Sequence, residues 1–372
     1  MSTLSYWLDQ PYEPRPPLEG DVEVEACVIG AGVGGLSCAR RLAQRGVETL
    51  VLERDTVAAG ASGRNGGFLL AGMAAFYPDA RERHGAEEAR RTYARTLEAQ
   101  EEIFELAREL DVADAVRRTG LLRVSASDEE AEHVQRHVAA LNADGFPGRL
   151  VAREELPPAF QSSFHNACLT EHDGALQPAR WIRALAGAAE QAGARIREHT
   201  PAQGPVNSNR VVTDAGTVRA QHVVVAADGA LETLTPGLPV RTRRLHMVAT
   251  EPLSERLVDC PVYARWGYEY FQQTPDGRLL AGGFSDLDAE ASYTDRDEGN
   301  TRVWQRIERY LGEDLGIQAP VTHRWVGTVG YSEDGLPVVG ERDGVYVAGG
   351  YSGHGNVLGY VAGQELADRI AG

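Results

Sequence analysis

The stretch that decides the fold is Ala26-Cys-Val-Ile-Gly-Ala-Gly-Val-Gly-Gly-Leu36. Apolar residues from Val22 to Ile29 predict a buried strand, and the apolar spacing after Leu36 predicts a helix. Between them, glycines at positions 30, 32 and 35 form the G-x-G-x-x-G turn of a dinucleotide-binding unit. Such a turn presents backbone N–H groups and the positive end of a helix dipole to phosphates. The alternative is a glycine-rich turn before an ordinary helix.

A second predicted strand supports the dinucleotide-binding interpretation. The run from Glu48 to Glu53 is apolar between its ends, and Glu53 lies 18 residues after Gly35. An acidic residue at about this position binds the ribose hydroxyls in dinucleotide-binding folds. Strand, glycines, helix, second strand and acid together indicate a Rossmann-like unit.

The composition indicates a globular protein with two packed domains. A chain of 372 residues exceeds the size of one simple core. Its 37 basic and 54 acidic residues give a net charge of −17, which argues against partners such as nucleic acid or an anionic membrane. No apolar run approaches the ~18 residues of a membrane span. Residues 1–20 lack the pattern of a secretory signal.

The cysteine and lysine content limits the available chemistry. The four cysteines, Cys27, Cys38, Cys168 and Cys260, lack the spacing of metal ligands or redox pairs. We therefore expect free buried thiols, no metal and a cytoplasmic location. The chain contains no lysine, so neither a Schiff base nor a lysine general base is available.

The rest of the chain contains two kinds of sequence pattern, one typical of parallel sheets with helices and one typical of antiparallel strands. The apolar run from His222 to Ala227 ends in Asp228-Gly229, which predicts a central strand of a parallel sheet ending beside the glycine turn. Residues 231–325 show alternating strands with aromatic residues, including a hairpin through Pro275-Asp-Gly277. A strand, a glycine loop and a helix then follow from Gly344 to Ile370. Four prolines within residues 11–17 predict an extended surface arm.

Three separated motifs resemble the D-amino-acid-oxidase-type (DAO) family of FAD-dependent oxidoreductases. They are the glycine stretch with Glu53, the loop Ser62-Gly-Arg-Asn-Gly-Gly67, and the segment Asp334-Gly-Leu-Pro-Val-Val-Gly340 followed by Gly349–Gly355. The loop 62–67 and the Tyr-Trp-Leu near the N-terminus are most similar to the gamma-glutamylputrescine oxidase branch. The resemblance covers nearly the whole chain.

The resemblance implies an α/β fold with a Rossmann-like FAD-binding domain of the glutathione-reductase type and a mostly antiparallel substrate domain. We assign residues 22–80, 150–230 and 326–372 to the FAD-binding domain. The substrate domain then takes residues 81–149 and 231–325, and residues 1–21 form the N-terminal arm.

The resemblance also implies a set of FAD-binding residues. The pyrophosphate, ribose, adenine and flavin positions carry over to Gly30, Gly32, Val33, Gly34, Gly35, Glu53, Arg54, Ser62, Gly63, Arg64, Asn65, Gly66, Gly67, Ala202, Ala227, Gly229, Gly350, Gly353, His354, Gly355, Asn356 and Val357. Donors at 353–355 would lie where negative charge develops on flavin reduction.

Two departures from the family pattern limit what carries over. Gly327 lies near the position where covalent members of the sarcosine-oxidase type have a flavin-linking cysteine, so we expect noncovalent FAD. Val357 replaces a lysine that binds the substrate carboxylate in those enzymes. The second change argues against a sarcosine-like substrate.

The expected reaction is oxidation of a C–N bond in a small amine or amino acid by hydride transfer to flavin N5, followed by hydrolysis of the imine. Electrons pass to O2 or another acceptor. The candidate catalytic residues are His246, Tyr270, Tyr331 and His354. His246 lies in a predicted strand and could face the flavin, although a core histidine is the slightly favoured alternative. Tyr268 and Tyr270 would share one face of a strand, over a cleft or in plain sheet packing, with Glu269 pointing to solvent.

Two other functions remain open at this point. One is a D-amino-acid dehydrogenase that passes electrons to a quinone, which would need a carboxylate-binding arginine in the cleft. The arginines available for that role are Arg64, Arg243, Arg244 and Arg265. The other is a noncatalytic, FAD-bound subunit of a larger complex.

Overall fold

The computed structural model describes residues 3–372, which form eighteen β-strands and eight α-helices. The strands are β1 (Val22–Ile29), β2 (Thr49–Leu52), β3 (Phe68–Leu69), β4 (Val116–Arg118), β5 (Leu121–Val124), β6 (Arg149–Ala152), β7 (Asn166–Thr170), β8 (Gly174–Leu176), β9 (Arg195–Arg197), β10 (Arg210–Thr213), β11 (Gly216–Val225), β12 (Val240–Pro252), β13 (Val262–Ala264), β14 (Glu269–Gln273), β15 (Arg278–Gly283), β16 (Val321–Ser332), β17 (Val338–Arg342) and β18 (Val345–Gly349).

The helices connect these strands or cover the sheets. They are α1 (Val33–Gln44), α2 (Tyr77–His84), α3 (Ala86–Glu109), α4 (Asp128–Ala143), α5 (Pro178–Gln191), α6 (Leu231–Leu234), α7 (Thr301–Arg309) and α8 (Gly355–Ala371). Among residues 3–372, no helix has both the length and the apolarity needed to cross a membrane.

A seven-stranded sheet carries the glycine stretch at its centre. The strand order is β17-β18-β11-β1-β2-β9, with β10 paired to β11. Strand β1 pairs in parallel with both β11 and β2, and its last four residues, Ala26 to Ile29, are buried. The predicted central strand is confirmed, although β11 also includes the second arm of the preceding hairpin. The carboxyl ends of three parallel strands therefore meet beside Gly30.

Helices α1 and α8 pack closely because glycines lie at their contact. A Cβ atom at Gly363 would overlap the carbonyl oxygen of Gly34, and one at Gly359 would lie 2.8 Å from Val33 Cγ1. The Ser37 hydroxyl donates to the carbonyl of Tyr360 at 2.8 Å. This packing brings the N-terminal ends of the two helices side by side.

An eight-stranded sheet forms the other half of the molecule. Its order is β16-β12-β15-β14-β13-β5-β7-β6, and all pairs are antiparallel except β13 with β5. The predicted antiparallel character and the hairpin between β14 and β15 are confirmed. Strands β6 and β7 also belong to this sheet, although our boundaries grouped residues 150–170 with the FAD-binding segments. The division into two domains otherwise stays a prediction.

The N-terminal arm is only partly a surface feature. Residues 9–17 are extended and mostly exposed, as expected. Thr3, Ser5 and Trp7, in contrast, are buried, with Trp7 only 2% exposed. The expectation of a surface arm is therefore wrong for Thr3, Ser5 and Trp7, whose side chains pack inside the protein. Met1 and Ser2 lie outside the described residues.

Replacing Gly363 by alanine should lower the free energy of unfolding by about 1–3 kcal/mol, because the new methyl group overpacks the contact between α1 and α8. The matched control is Gly187→Ala in α5, where a Cβ atom meets nothing within 4 Å. That change should stabilise the protein by up to about 1 kcal/mol through helix propensity. Denaturant unfolding measures both, and equal effects would contradict the packing argument.

Candidate active site

The glycine turn is shaped by close backbone approaches. Gly30 has φ of +106°, and a Cβ atom there would lie 2.7 Å from the carbonyl oxygen of Ala226. A Cβ atom at Gly32 would lie 2.9 Å from Ser62 Oγ, which itself accepts a hydrogen bond of 3.0 Å from the Val33 N–H. The loop 62–67 therefore lies directly against the N-terminus of α1, and the Ser62 hydroxyl hydrogen remains free to donate.

Three adjoining cavities run from this turn to the eight-stranded sheet. The outer cleft, of about 1260 Å³, is lined by residues that include Gly30, Glu53 and Ala202. The middle cleft, of about 530 Å³, shares Gly32 and Ser62 with the outer one. The inner cavity, of about 810 Å³, shares Asn65 and Gly353 with the middle cleft. Shared walls make the three cavities one elongated site.

Most of the predicted cofactor-binding residues line this site. The outer cleft contains Gly30, Gly32, Glu53, Arg54, Ser62, Ala202, Ala227 and Gly229. The middle cleft adds Val33, Gly34, Asn65, Gly353, Gly355 and Asn356, and the inner cavity adds Arg64, Gly66, His354 and Val357. Four predicted residues, Gly35, Gly63, Gly67 and Gly350, line none of the three cavities and lie behind their walls.

Two partly buried carboxylates fix the backbone around the outer cleft. Glu53 accepts hydrogen bonds from the Ala31 N–H at 2.8 Å and the Asp55 N–H at 3.0 Å, and burial raises its pKa. Asp228 accepts from the N–H groups of Gly330 and Gly350, both at 2.9 Å. Burial raises the pKa of Asp228 to about 6. Asp228 therefore joins the ends of β11, β16 and β18.

Five successive carbonyl groups of the loop, from Gly63 to Gly67, accept hydrogen bonds from distant parts of the chain. The donors, in loop order, are Ser5 Oγ, Trp325 Nε1, Trp7 Nε1, Gln272 Nε2 and the Leu176 N–H. The eight-stranded sheet, strand β8 and the N-terminal arm thus hold one loop. The sequence motif indicated the loop but carried no signal for its partners, which lie up to 261 residues away.

A pair of asparagines joins this loop to the N-terminus of α8. The side-chain amides of Asn65 and Asn356 exchange two hydrogen bonds of 3.2 Å each. Asn356 Nδ2 also donates to the carbonyl of Phe68 at 2.7 Å, and Asn65 Oδ1 accepts from the Gly67 N–H at 2.7 Å. The two glycine-containing loops are therefore fixed relative to each other.

His354 presents a neutral imidazole to the inner cavity. Its ring stacks on Tyr263 with centroids 6.0 Å apart and an interplanar angle of 11°. Both ring nitrogens are buried and have no hydrogen-bond partner among the described residues. Burial lowers the pKa of His354 to about 4, with a smaller effect from the nearby Arg123 charge. The imidazole is therefore uncharged at neutral pH, and the described residues satisfy neither of its ring nitrogens.

Aromatic rings form much of the remaining wall. Tyr270 has its ring 6.0 Å from those of Phe68 and Tyr263, and Tyr331 lies under the Arg243 guanidinium at 5.1 Å. Burial raises the pKa of both Tyr270 and Tyr331, so both phenols stay protonated. The structure thus brings three predicted catalytic residues to one cavity, together with Tyr263, which the sequence did not single out.

The prediction for His246 is wrong in one respect, since the side chain does not face the cavity. Leu245 and Met247 line the inner cavity, so His246 lies on the opposite face of β12. Its Nε2 accepts a hydrogen bond of 2.8 Å from the Asn300 N–H, and its ring packs 5.6 Å from Trp304. His246 is a core histidine.

The expectations for Glu269 and Tyr268 also need correction. Glu269 is only 3% exposed and forms an ion pair with Arg265 at 2.5 Å, so it does not point to solvent. Tyr268 lies in the turn before β14 and is 41% exposed, so it does not share a strand face with Tyr270.

The four arginines considered for a carboxylate site are already engaged within the protein. Arg64 donates to the carbonyls of Ala59 and Val326, and Arg244 donates to that of Glu298. Arg243 donates to Ser292 Oγ and the Ser285 carbonyl, and Arg265 pairs with Glu269 and Asp286. Their protein partners leave none of these four guanidinium groups without a hydrogen bond.

The donors around the site fit a dinucleotide with a polar ring system. The N-termini of α1 and α8 both reach the middle cleft, where their partial positive charges favour an anion such as a pyrophosphate. The unpartnered nitrogens of His354 lie farther along the same site. A family profile described as FAD dependent oxidoreductase matches residues 25–369. The chain belongs to this family.

Relatives of this FAD-dependent oxidoreductase cover nearly its whole length. It is 29% identical to a probable oxidoreductase OrdL of Rhizobium meliloti, over 96% of this chain and 85% of that protein. It is 27% identical to the gamma-glutamylputrescine oxidoreductase of Escherichia coli, over 97% and 87%. The crystal structure of glycine oxidase from Geobacillus kaustophilus matches 94% of this chain and 95% of that one, with a TM-score of 0.76 and 23% identity. The resemblance seen in the sequence is confirmed.

Replacing Trp7 by phenylalanine should weaken FAD retention about fivefold or more, because the Asn65 carbonyl loses its donor and the loop loosens. The matched control is Trp181→Phe, since Trp181 is equally buried but its Nε1 has no partner in the described structure. Fluorescence titration of the apoprotein with FAD measures the affinity of each variant. Equal affinities for the two variants would exclude a role for the hydrogen bond.

Replacing His246 by glutamine should make the free energy of unfolding depend less on pH below about pH 6.5. The turnover rate should stay nearly unchanged. Burial lowers the pKa of His246 to about 4, so the unfolded chain binds the extra proton first. The stabilising contribution of neutral His246 to the free energy of unfolding is therefore present above about pH 6.5 and is lost as pH falls toward 4. Unfolding midpoints across this range test the effect. The exposed His199, replaced by asparagine, is the control, and a large loss of turnover in His246→Gln would contradict a structural role.

Proposed function

We propose that this oxidoreductase oxidises a C–N bond of a small amine or amino acid, with FAD held noncovalently along the three cavities. The observation that carries the proposal is the lining of the inner cavity. Tyr263, Tyr270, Tyr331 and the neutral His354 surround it with apolar side chains, and no carboxylate of residues 3–372 lines it. Such a site favours an uncharged amine, because burial disfavours the ammonium form.

The donor set supports this arrangement of the cofactor. The outer cleft, with Glu53, would hold the adenosine, and the paired helix N-termini at the middle cleft would hold the pyrophosphate. Bound FAD supplies a two-electron acceptor at the inner cavity. Backbone N–H groups at Gly353–Gly355 and the N-terminus of α8 would stabilise negative charge there.

Noncovalent attachment is supported by the position of the cysteines and by Gly327. No cysteine lines any of the three cavities among residues 3–372. A Cβ atom at Gly327 would lie 3.0 Å from Arg64 Cβ, so a cysteine side chain there would crowd Arg64. Denaturation should therefore release all of the flavin into solution.

The protein's own residues would bind and orient the amine. The rings of Phe68, Tyr263 and Tyr270 exclude water and hold the neutral amine, and the phenol hydroxyls remain protonated hydrogen-bond donors. Loss of a hydride from the carbon next to nitrogen leaves an iminium ion, which releases a proton to water to give the imine. Water then hydrolyses the imine to a carbonyl compound and an amine. An electron acceptor such as O2 then takes up the two electrons.

The decisive experiment is anaerobic mixing of the yellow holoenzyme with primary and secondary amines, N-methyl amino acids and D-amino acids. Loss of the visible flavin absorbance with at least one of them is expected. If dithionite reduces the flavin of the holoenzyme but none of these compounds does, the proposal is wrong. Gly32→Val should abolish flavin retention because its side chain meets Ser62 at the glycine turn, whereas Gly187→Val, with nothing within 4 Å of its Cβ and no place in the lining of the three cavities, should retain flavin.

A further inference from the structure

Arg123 is a partly buried arginine beside the active site with no charged partner. It lies on β5, with its guanidinium 4.5 Å from the ring centroid of Phe76 and 5.4 Å from that of Tyr263. Among residues 3–372, its side chain takes part in no hydrogen bond and no ion pair, in contrast to Arg64, Arg243, Arg244 and Arg265. A charge taken partly out of water in this way gains most from an anionic partner.

The surroundings of Arg123 do not supply that partner. It lines a side cavity of about 500 Å³ that meets the inner cavity at Leu70. The nearest acid in its lining, Asp173, is already bound by the Ala71 N–H, Gln100 Nε2 and Thr170 Oγ1.

The histidine in the same lining is also unavailable as a partner. His137 Nδ1 accepts a hydrogen bond from the Tyr77 N–H at 3.0 Å, and burial lowers its pKa, so it carries no charge. The Arg123 guanidinium therefore keeps its donors free beside an open volume.

We propose that Arg123 binds a carboxylate of the substrate, carried on a chain several bonds from the amine that is oxidised. Tyr263 contacts both Arg123 and His354, so the anion would lie across this ring from the reacting end of the inner cavity. The planar guanidinium can hold a carboxylate through two parallel hydrogen bonds. The inference rests on the proposed function for the reaction itself. The binding of the anion is assigned to Arg123 alone.

Because the anion site can be tested without turnover, the experiment uses straight-chain carboxylates from acetate to hexanoate as probes of the purified holoenzyme. Calorimetric titration should show binding that strengthens with chain length, with no binding of the matching neutral amides. Arg123→Gln should weaken carboxylate binding about 10- to 100-fold, as expected for loss of a charged hydrogen-bond partner. Arg123→Lys, which keeps the charge but not the planar fork, should retain part of the affinity.

Arg183→Gln is the matched control, because Arg183 lies 4.2 Å over the Tyr12 ring, also without an ion pair, and lines none of the cavities described here. A wild-type protein that binds no carboxylate, or equal losses in Arg123→Gln and Arg183→Gln, would overturn the proposal. These outcomes are independent of the amine screen. Carboxylate binding through Arg123 in a holoenzyme that no amine reduces would reject only the proposed reaction.

The kinetic counterpart uses ω-amino acids and alkylamines of the same chain length. For the amino acids, Arg123→Gln should raise KM by a similar factor while kcat changes little, because the contact is distant from the reacting bond. For the alkylamines, KM should stay near the wild-type value. Equal changes for both series, or an effect confined to α-amino acids, would contradict a distal carboxylate site.

Discussion

The approach of two helix N-termini to a single cleft is the constraint on which the rest of the structure depends. Strand order places β1 and β18 on either side of β11, and the helices that follow them, α1 and α8, converge in consequence. Their partial positive charges repel each other unless an anion lies between them. Gly34, Gly359 and Gly363 allow the contact in spite of that repulsion, and an anion bound between the two N-termini would reduce it. We therefore expect binding of such an anion to raise the stability of the fold.

The loop over residues 62–67 completes the site that begins at the N-termini of α1 and α8. Its carbonyls are bound by the arm, by β8 and by two strands of the eight-stranded sheet, while Ser62, Asn65 and Gly66 lie at the walls of the cavities. The same interactions attach the loop to the eight-stranded sheet, while Ser62 contacts the N-terminus of α1 at the end of the seven-stranded sheet. The site therefore lies between these two sheets, and its shape depends on their relative position as much as on any motif.

The sequence was sufficient wherever the determining contacts are local. The G-x-G-x-x-G turn, the acid at Glu53 and the hairpin near Asp276 each depend on a few neighbouring residues, and all were predicted. The wall of the inner cavity was not, because a strand's alternation tells which residues share a face but not which face meets the cavity. His246 was predicted to be catalytic, but it lies on the other face of β12, and its neighbours Leu245 and Met247 line the site instead. Arg123 gave no signal in the sequence, since only the fold shows that its side chain has no ion pair or hydrogen bond within residues 3–372.

The donors that hold the loop also determine when the site can exist during protein synthesis. Ser5 and Trp7 leave the ribosome before the loop that they bind, whereas Gln272, Trp325 and α8 are translated long after it. Contacts of such high sequence separation form late and slowly. A nascent chain that ends before β16 therefore has the glycine turn but no closed pocket. The flavin is expected to enter only after nearly all of the described chain has been made.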